Sequence, residues 1–427
     1  MKKIAFSVAI ILFTVLLNVS AQSYIKIDAS FYSPALDKVK MIDIFLPGDY
    51  YQHPDQYYAT IYYLHGGGGN QNSGTAEVNY YYQTHYADTT ITSPPAIYVR
   101  PDGSCEPYMG SSYVNSELYG NYEDFIMQDV ITFIETNFRA YPNKNFRYIT
   151  GVSMGGYGSG WLAVSYPQKF RASFPYAGFL SMPDTILNTW KDLYYTDNGT
   201  YNLQCGPALN TQLFLTMCGA FSPNLNNPPC YVDFPFDTLG NWIDSVLEEW
   251  YVYDVSTKVK DLPDENELSW FLGCGTTDYM CTYPTYQVFM DSLETYGIAY
   301  DYKFFDGGHI LDPDTWITGM HWMDSIINLS FVTLGVENLT QPEFTLTAYP
   351  NPVKQLTTIR FELSKAGFTG LSLWNQYGQH MESLIQEKLS AGIHSRIFDA
   401  SLLPPGIYFL RLQAGDRNVV KKIVKVK

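Results

Sequence analysis

From residue 24 onward the apolar positions fall into short runs separated by turn residues. Tyr24 to Phe31 and Val39 to Leu46 alternate between apolar and polar and predict a pair of opening strands. Ala59 to Leu64 is apolar throughout, as a strand buried on both faces is, and it breaks into the glycines Gly66 to Gly69 after His65. Ala96 to Val99 is a similar run, closed by the turn Pro101-Asp102-Gly103. Between Tyr122 and Phe138 the spacing becomes helical, with Phe125, Ile126, Val130, Phe133 and Ile134 on one side. A strand at Phe146 to Thr150, a small-residue helix at Gly156 to Tyr166 and a strand at Ala172 to Tyr176 follow. Later the rhythm resumes with a strand at Leu268 to Gly273, a helix at Tyr283 to Tyr296, a strand at Tyr300 to Phe305 and a helix at Asp314 to Leu329. Strand and helix in alternation predict an α/β fold, a doubly wound and mostly parallel sheet with helices on both faces.

Two stretches break that rhythm. Ser181 to Pro263 is rich in Pro, Asn, Gly and Cys and reads as an insertion over the sheet, a lid or a substrate wall. From Phe344 short alternating runs (Thr357 to Leu363, Leu371 to Trp374, Ile407 to Leu412, Val419 to Val426) lie between Gly and Pro turns, which predicts a small all-β sandwich. The expected organisation is an α/β domain over 22–335, a linker over 336–344 and a β domain over 345–427. Met1 to Ala21 has two lysines, an apolar run and small residues at its end, the form of a secretory signal peptide that is cleaved. The run is short for a bilayer span, so no stable membrane anchor is expected.

Charge supports the division. The chain carries 26 basic and 42 acidic residues, yet Glu343 to Lys427 holds 11 basic and only 6 acidic ones. The remainder is strongly acidic and repels polyanions, which argues against a nucleic-acid partner. Six cysteines lie in the acidic part, and export makes disulfides possible; Cys205, Cys218 and Cys230 share one loop-rich stretch where a local bridge is expected. Their spacing lacks a paired zinc pattern, and no metal site or cofactor is expected. Of the 37 tyrosines most are expected in the core or scattered, while a tyrosine-rich surface would suit stacking on sugar or phenolic rings.

The candidate chemistry starts at Gly151-Val152-Ser153-Met154-Gly155, which fits G-x-S-x-G between a strand and a helix. Such a turn is too sharp for Cβ atoms beside it and lifts the serine hydroxyl above the sheet edge, so Ser153 is the candidate nucleophile. A hydroxyl attacks only if a base removes its proton. With the chain order Ser, acid, His, the base lies after Ser153. His309 follows a strand in Gly307-Gly308-His309, whereas His321 falls inside a helix. Asp278, in the loop after the preceding strand, is the candidate to orient the imidazole, with Asp301 and Asp306 as rivals. Oxyanion donors are expected from the backbone N–H of Met154 and of Gly67. The glycine loop lacks the Lys and Ser/Thr of a nucleotide-binding loop, and His65 reads as structural.

The combination of residues 61–70 (IYYLHGGGGN), Pro101-Asp102-Gly103, residues 121–125 (NYEDF), residues 151–156 (GVSMGG), Tyr157-Gly158, Asp278 and Gly307-Gly308-His309 resembles the esterase D, feruloyl and acetyl xylan esterase family, with the antigen 85 mycolyltransferases as cousins. The resemblance covers about residues 40–330 and implies an α/β-hydrolase fold with Ser153, Asp278 and His309 as triad and Gly67 and Met154 as oxyanion donors. Relatives place an aromatic soon after the histidine, whereas here Trp316 comes later. Tyr349-Pro350-Asn351-Pro352, Gly406-Ile407-Tyr408 and the basic end at Val419 to Lys427 are similar to type IX secretion sorting domains. That implies passage through the periplasm and across the outer membrane by the type IX machinery; a carbohydrate-binding sandwich is the alternative. The expected activity is hydrolysis of carboxylic esters, acyl or feruloyl groups on plant polysaccharide or oligosaccharide, through an acyl-serine. An acyltransferase with the same triad, or a non-catalytic carbohydrate-binding surface protein on a hydrolase fold, are the alternatives.

Overall fold

The apolar runs become the inner strands of one eight-stranded sheet in the computed structural model, which describes residues 23–263, 267–280, 282–333, 346–363, 365–375, 379–414 and 417–426. Its strands are β1 (Tyr24–Ser33), β2 (Lys38–Pro47), β3 (Thr60–Leu64), β4 (Ile97–Pro101), β5 (Arg147–Val152), β6 (Ala172–Tyr176), β7 (Ser269–Gly275) and β8 (Tyr300–Phe305). They lie in the order β1-β2-β4-β3-β5-β6-β7-β8. The β2–β4 pair is antiparallel, and every pairing from β4 through β3, β5, β6 and β7 to β8 is parallel. Every residue of β3, β4 and β6 is buried, as a strand covered on both faces requires. This is the α/β-hydrolase arrangement that the motifs imply.

The expected signal at 1–21, the linker at 336–344 and Cys281 lie outside the described residues. The described residues divide into two compact units, one within 23–32, 39–126 and 140–330, the other within 33–38, 127–139 and from 331 onward.

Helices differ from expectation in instructive ways. The single helix predicted over Tyr122 to Phe138 is a short turn at Tyr122–Asp124, a π-helical stretch at Phe125–Val130 and then α2 (Ile131–Asn137). Phe125, Ile126 and Met127 are consecutive and all buried, more than the narrow stripe of a regular helix presents to one side. Helix α1 (Thr75–Ala87) lies outside the predicted elements, although Val78, Tyr81, Tyr82 and His85 are buried at helical spacing. Their polar tips find partners inside: the Tyr82 hydroxyl donates to Phe45 O and Ala96 O at 2.9 Å each, and His85 Nδ1 lies 2.8 Å from Asp324 Oδ2. Most of the largest fully buried side chains are tyrosines, so tyrosine supplies much of the core. Helix α3 (Met154–Ser165) follows β5 directly.

The stretch Ser181 to Pro263 holds α4 (Asp184–Asn198), α5 (Leu209–Phe221) and α6 (Asp244–Tyr251), none of them predicted. A disulfide joins Cys205, before α5, to Cys230 after it, with Cα atoms 5.6 Å apart. Cys218 is a buried thiol on α5. Helices α7 (Thr282–Thr295) and α8 (Pro313–Thr333) match the predicted ones within a few residues, although α8 continues past its expected end at Leu329.

In the second unit, β9 (Leu346–Tyr349), β10 (Leu356–Leu363) and β13 (Gly392–Asp399) form one antiparallel sheet. A second comprises β11 (Gly367–Asn375), β12 (His380–Leu389), β14 (Gly406–Ala414) and β15 (Arg417–Lys425), in the order β12-β11-β14-β15. Ile359 and Phe361 from the first sheet meet Leu371, Leu373, Leu410, Leu412 and Ile423 from the second in one core, so the module is a two-sheet sandwich. The runs predicted as strands are β10, β11, β14 and β15. Strand β12 escapes prediction because most of its residues are exposed and its alternation is poor.

The turn between β5 and α3 is the tightest packing in the sheet. A Cβ on Gly155 would collide with the carbonyl of Leu64 on β3, a backbone group held by the β3–β5 ladder. Gly206 by contrast faces open space. Gly155→Ala is expected to destabilise the protein by more than about 3 kcal/mol in denaturant titration, with Gly206→Ala within about 0.5 kcal/mol of the parent. A Gly155→Ala protein as stable as the parent would show that this contact does not constrain the fold.

Candidate active site

The parallel register sets the carboxyl ends of five strands level. Leu64 pairs with Gly151, Gly151 with Pro175, Tyr176 with Gly273, and Gly275 with Phe305. Loops leaving those ends therefore meet along one edge, where ligands of open α/β sheets bind. Ser153 leaves β5 at φ 58°, ψ −118°, a conformation that side-chain-bearing residues rarely adopt. It is held there by its N–H donating to Tyr176 O at 2.9 Å and its carbonyl accepting from Tyr157 N at 2.9 Å. Strain of this kind persists only where the surroundings over-determine it.

His309, in the loop after β8, sits with Nε2 2.8 Å from Ser153 Oγ and Nδ1 2.7 Å from Asp278 Oδ2. An ionised carboxylate only accepts, which assigns the ring proton to Nδ1 and leaves Nε2 to accept from the serine hydroxyl. Asp278 follows β7, and its side chain is fully buried. It also accepts from Thr282 Oγ1 and from Met280 N, each at 2.7 Å. These donors compensate a charge that burial alone would disfavour. Burial and the Asp278 charge push the neighbouring Cys274 thiol up, keeping it protonated.

The rivals lie elsewhere. His321 is on the exposed side of α8, 3.5 Å from Asp88 Oδ2, and Asp301 accepts from Trp322 Nε1 at 2.7 Å. Asp306 is exposed, while the Nδ1 bond of His309 runs to Asp278.

The glycine loop closes the other side. A Cβ built on Gly66 would lie 3.4 Å from the Ser153 Cβ, which places this loop against the turn that carries the hydroxyl. His65 braces it. Its Nε2 accepts from Gly103 N at 2.9 Å and its Nδ1 donates to Gly66 O at 2.8 Å. Burial lowers its pKa, so the ring is neutral and holds this tautomer. Gly68 N donates to Met109 O at 2.5 Å, whereas the Gly67 N–H carries no hydrogen bond among the described residues. Met154 N opens α3, where backbone donors point outward without intrahelical partners and the helix dipole favours negative charge. Both Gly67 and Met154 line the cleft with Ser153 and His309.

The cleft has a volume of about 550 Å³ including its open mouth. Its walls are largely apolar: Met109, Phe179 and Met280 face Trp190 of α4 and Leu213 and Met217 of α5. Trp190 is anchored by Nε1 donating to Met280 O at 3.2 Å. Among the described residues no group of three or more His, Cys, Asp or Glu is placed to hold a metal ion.

A serine, an imidazole and a carboxylate in series, with backbone donors beside the serine, can activate a hydroxyl toward a carbonyl carbon. The profile of the family described as "Putative esterase" matches residues 33–321, more than half of the sequence. The chain belongs to this esterase family. Esterase MT1326 and Esterase Rv1288 of Mycobacterium tuberculosis are each 31% identical over 148 residues, 34% of this chain and 29% of their own length, so the match spans less than a third of those relatives. A solved ferulic acid esterase superposes with a TM-score of 0.50 at 19% identity, over 72% of this chain and 98% of that one, a likeness of fold. Residues 347–427 match the secretion system C-terminal sorting domain, of the type IX kind, which directs the esterase to the cell surface or the medium. Among the described residues no helix is long and apolar enough to cross a membrane.

Some residues that shape the esterase site are not singled out by the sequence. Tyr176, at the end of β6, donates its hydroxyl to Ile310 O at 3.0 Å and accepts from Asp312 N at 2.7 Å, which fixes the loop carrying His309. The only available signal is an aromatic with a polar tip at the carboxyl end of a predicted strand. Trp316, the delayed aromatic, is fully buried against Tyr63, Phe174 and Tyr176 and so backs the same loop from below. Tyr176→Phe removes both bonds to the part-buried loop, at about 0.5–1.5 kcal/mol each. It is expected to lower kcat toward a p-nitrophenyl ester about tenfold or more while KM changes less. An unchanged kcat would show that the His309 loop holds its place without this bond.

Proposed function

We propose that this esterase hydrolyses carboxylic esters through an acyl-Ser153 intermediate, in a domain spanning about residues 22–335 that is followed by the sorting domain over 345–427. The observation that carries the reading is the pair of contacts from one imidazole, 2.8 Å to Ser153 Oγ and 2.7 Å to Asp278 Oδ2. As Ser153 Oγ bonds to the ester carbonyl carbon, its proton passes to His309 Nε2. The carbonyl oxygen gains the negative charge and is met by the N–H groups of Gly67 and Met154. The tetrahedral adduct then expels the alcohol, which takes the proton from His309. Water repeats the sequence on the acyl-enzyme: its proton goes to His309, its oxygen bonds to the acyl carbon, and Ser153 leaves with that proton restored. Asp278 holds the Nδ1 proton and stabilises the imidazolium in both halves.

The substrate reading is an acylated or feruloylated plant polysaccharide. It is supported by an apolar cleft with Phe179 and Trp190 in its walls, a lining suited to an aromatic acyl group, and by export to the cell surface or the medium, where a polymer is reachable. The long polymer would remain outside while its acyl group enters.

The test is a panel of acetyl, butyryl and feruloyl esters on p-nitrophenol and on xylan oligosaccharides, with Ser153→Ala and Asp278→Asn alongside. Ser153→Ala is expected to lose at least about a thousandfold in kcat, and Asp278→Asn a loss on the order of a thousandfold or more. Turnover by Ser153→Ala close to that of the parent would eliminate the acyl-serine route.

A further inference from the structure

Five polar side chains line the cleft: Ser112, Ser153, Thr216, Thr282 and His309. Four of them have their hydrogen bonds inside the protein. Ser153 and His309 face each other, and the Thr282 hydroxyl donates to Asp278. The Thr216 hydroxyl donates to Gln212 O at 2.9 Å and accepts from Met109 N at 3.1 Å. Ser112 differs. It is only 2% exposed, yet among the described residues its hydroxyl has no hydrogen-bond partner. The hydroxyl is not among the fully buried atoms that lack a partner, so it opens onto the cleft, where a bound group that shuts out water and offers no partner would leave it unmatched.

The backbone presents Ser112 in an uncommon way. Its φ is +52° and that of Tyr113 is +57°, both in the left-handed region. Neighbours on both sides hold them there. The Ser111 hydroxyl donates to Gly103 O at 3.0 Å and accepts from Tyr113 N at 3.3 Å, and the Tyr113 hydroxyl donates to His65 O at 3.1 Å. Ser112 is therefore fixed to the same framework that supports the glycine loop, and it contributes an uncommitted donor and acceptor to an otherwise apolar wall.

We infer that Ser112 is a specificity-determining residue whose hydroxyl hydrogen-bonds an oxygen substituent on the group bound in the cleft, so that the esterase prefers acyl groups bearing a hydroxyl or ether oxygen over plain hydrocarbon ones. This rests on the proposal that the ester occupies the cleft at Ser153. A site with one unpaired polar group in apolar surroundings discriminates strongly, because the unsubstituted ligand leaves that group unmatched while the oxygenated one satisfies it.

The test compares kcat/KM for two matched pairs, methyl 4-hydroxycinnamate against methyl cinnamate and p-nitrophenyl methoxyacetate against p-nitrophenyl butyrate. The full chain, Ser112→Ala and Ser112→Gly are measured side by side. Glycine suits a positive φ, so Ser112→Gly removes the hydroxyl without adding backbone strain. In at least one pair, the ratio of oxygenated to plain ester is expected to fall about tenfold in both variants, mainly through KM. Ser112→Asn, which tolerates the same backbone, is expected to recover part of the ratio. Equal losses on both members of each pair would assign Ser112 a merely structural role, and unchanged ratios would remove its contact with substrate; either overturns the inference. Both leave Ser153-dependent turnover in place, whereas failure of the underlying esterase mechanism would abolish that dependence in the parent itself.

Discussion

The close approach of the Leu64 carbonyl to Gly155 is the constraint on which the site depends. It presses the end of β3 against the first turn of α3, and in doing so it brings two unrelated loops to one point. The glycine loop that follows Leu64 comes to lie against Ser153, whose positive-φ turn is held by its hydrogen bonds to Tyr176 and Tyr157. A side chain at Gly155 would collide with the Leu64 carbonyl and force the end of β3 and the first turn of α3 apart. The candidate oxyanion donors and the hydroxyl are thus placed by backbone packing, which is stiffer than any side-chain contact.

Around that point the polar groups are satisfied in an ordered hierarchy. Asp278 is buried with three donors, His309 bridges it to Ser153, and His65 and Tyr176 each hold a loop through a pair of hydrogen bonds. In the apolar cleft such interactions are felt more strongly than in water, so an imidazolium forming on His309 would be balanced by Asp278 with little screening. The same surroundings make any group left unpaired costly. Ser112 stands out for this reason, since every other polar side chain in the walls has found a partner within the protein.

The legible part of the fold is the part with clean periodicity. Strands β3 to β7 are largely apolar runs bounded by turn residues, β8 is an edge run that alternates with Asp301 and Lys303, and Ser153, His309 and Asp278 can be placed because each follows one of these strands. The glycine spacing around Ser153 carries the same information about close packing that the structure displays. Helix α1 escapes because Tyr81, Tyr82 and His85 are buried through hydrogen bonds, and a pattern of apolar positions does not count them. The helices of the insertion escape for a different reason. Between them lie the Pro- and Asn-rich turns around Cys230, and the Cys205–Cys230 bridge stabilises a connection that local propensity alone leaves undefined. Tyr176 and Ser112 are illegible because their roles come from partners far away in sequence or from having none, and neither condition leaves a local mark.

The insertion and the glycine loop are joined by more than proximity. Gln212 O accepts from the Thr216 hydroxyl on α5, that hydroxyl accepts from Met109 N, and Met109 O accepts from Gly68 N, beside the Gly67 donor. One continuous chain of hydrogen bonds therefore runs from the wall that shapes the cleft to the glycine loop beside Ser153. Leu213 and Met217 flank Thr216 on that wall and contact whatever group fills the cleft. A ligand that displaces α5 would pull on Met109 and, through it, on Gly68. Under the proposed mechanism, the wall that meets the acyl group and the loop that offers the Gly67 N–H are thus held by one set of hydrogen bonds, so the shape of the cleft and the position of that donor are set together.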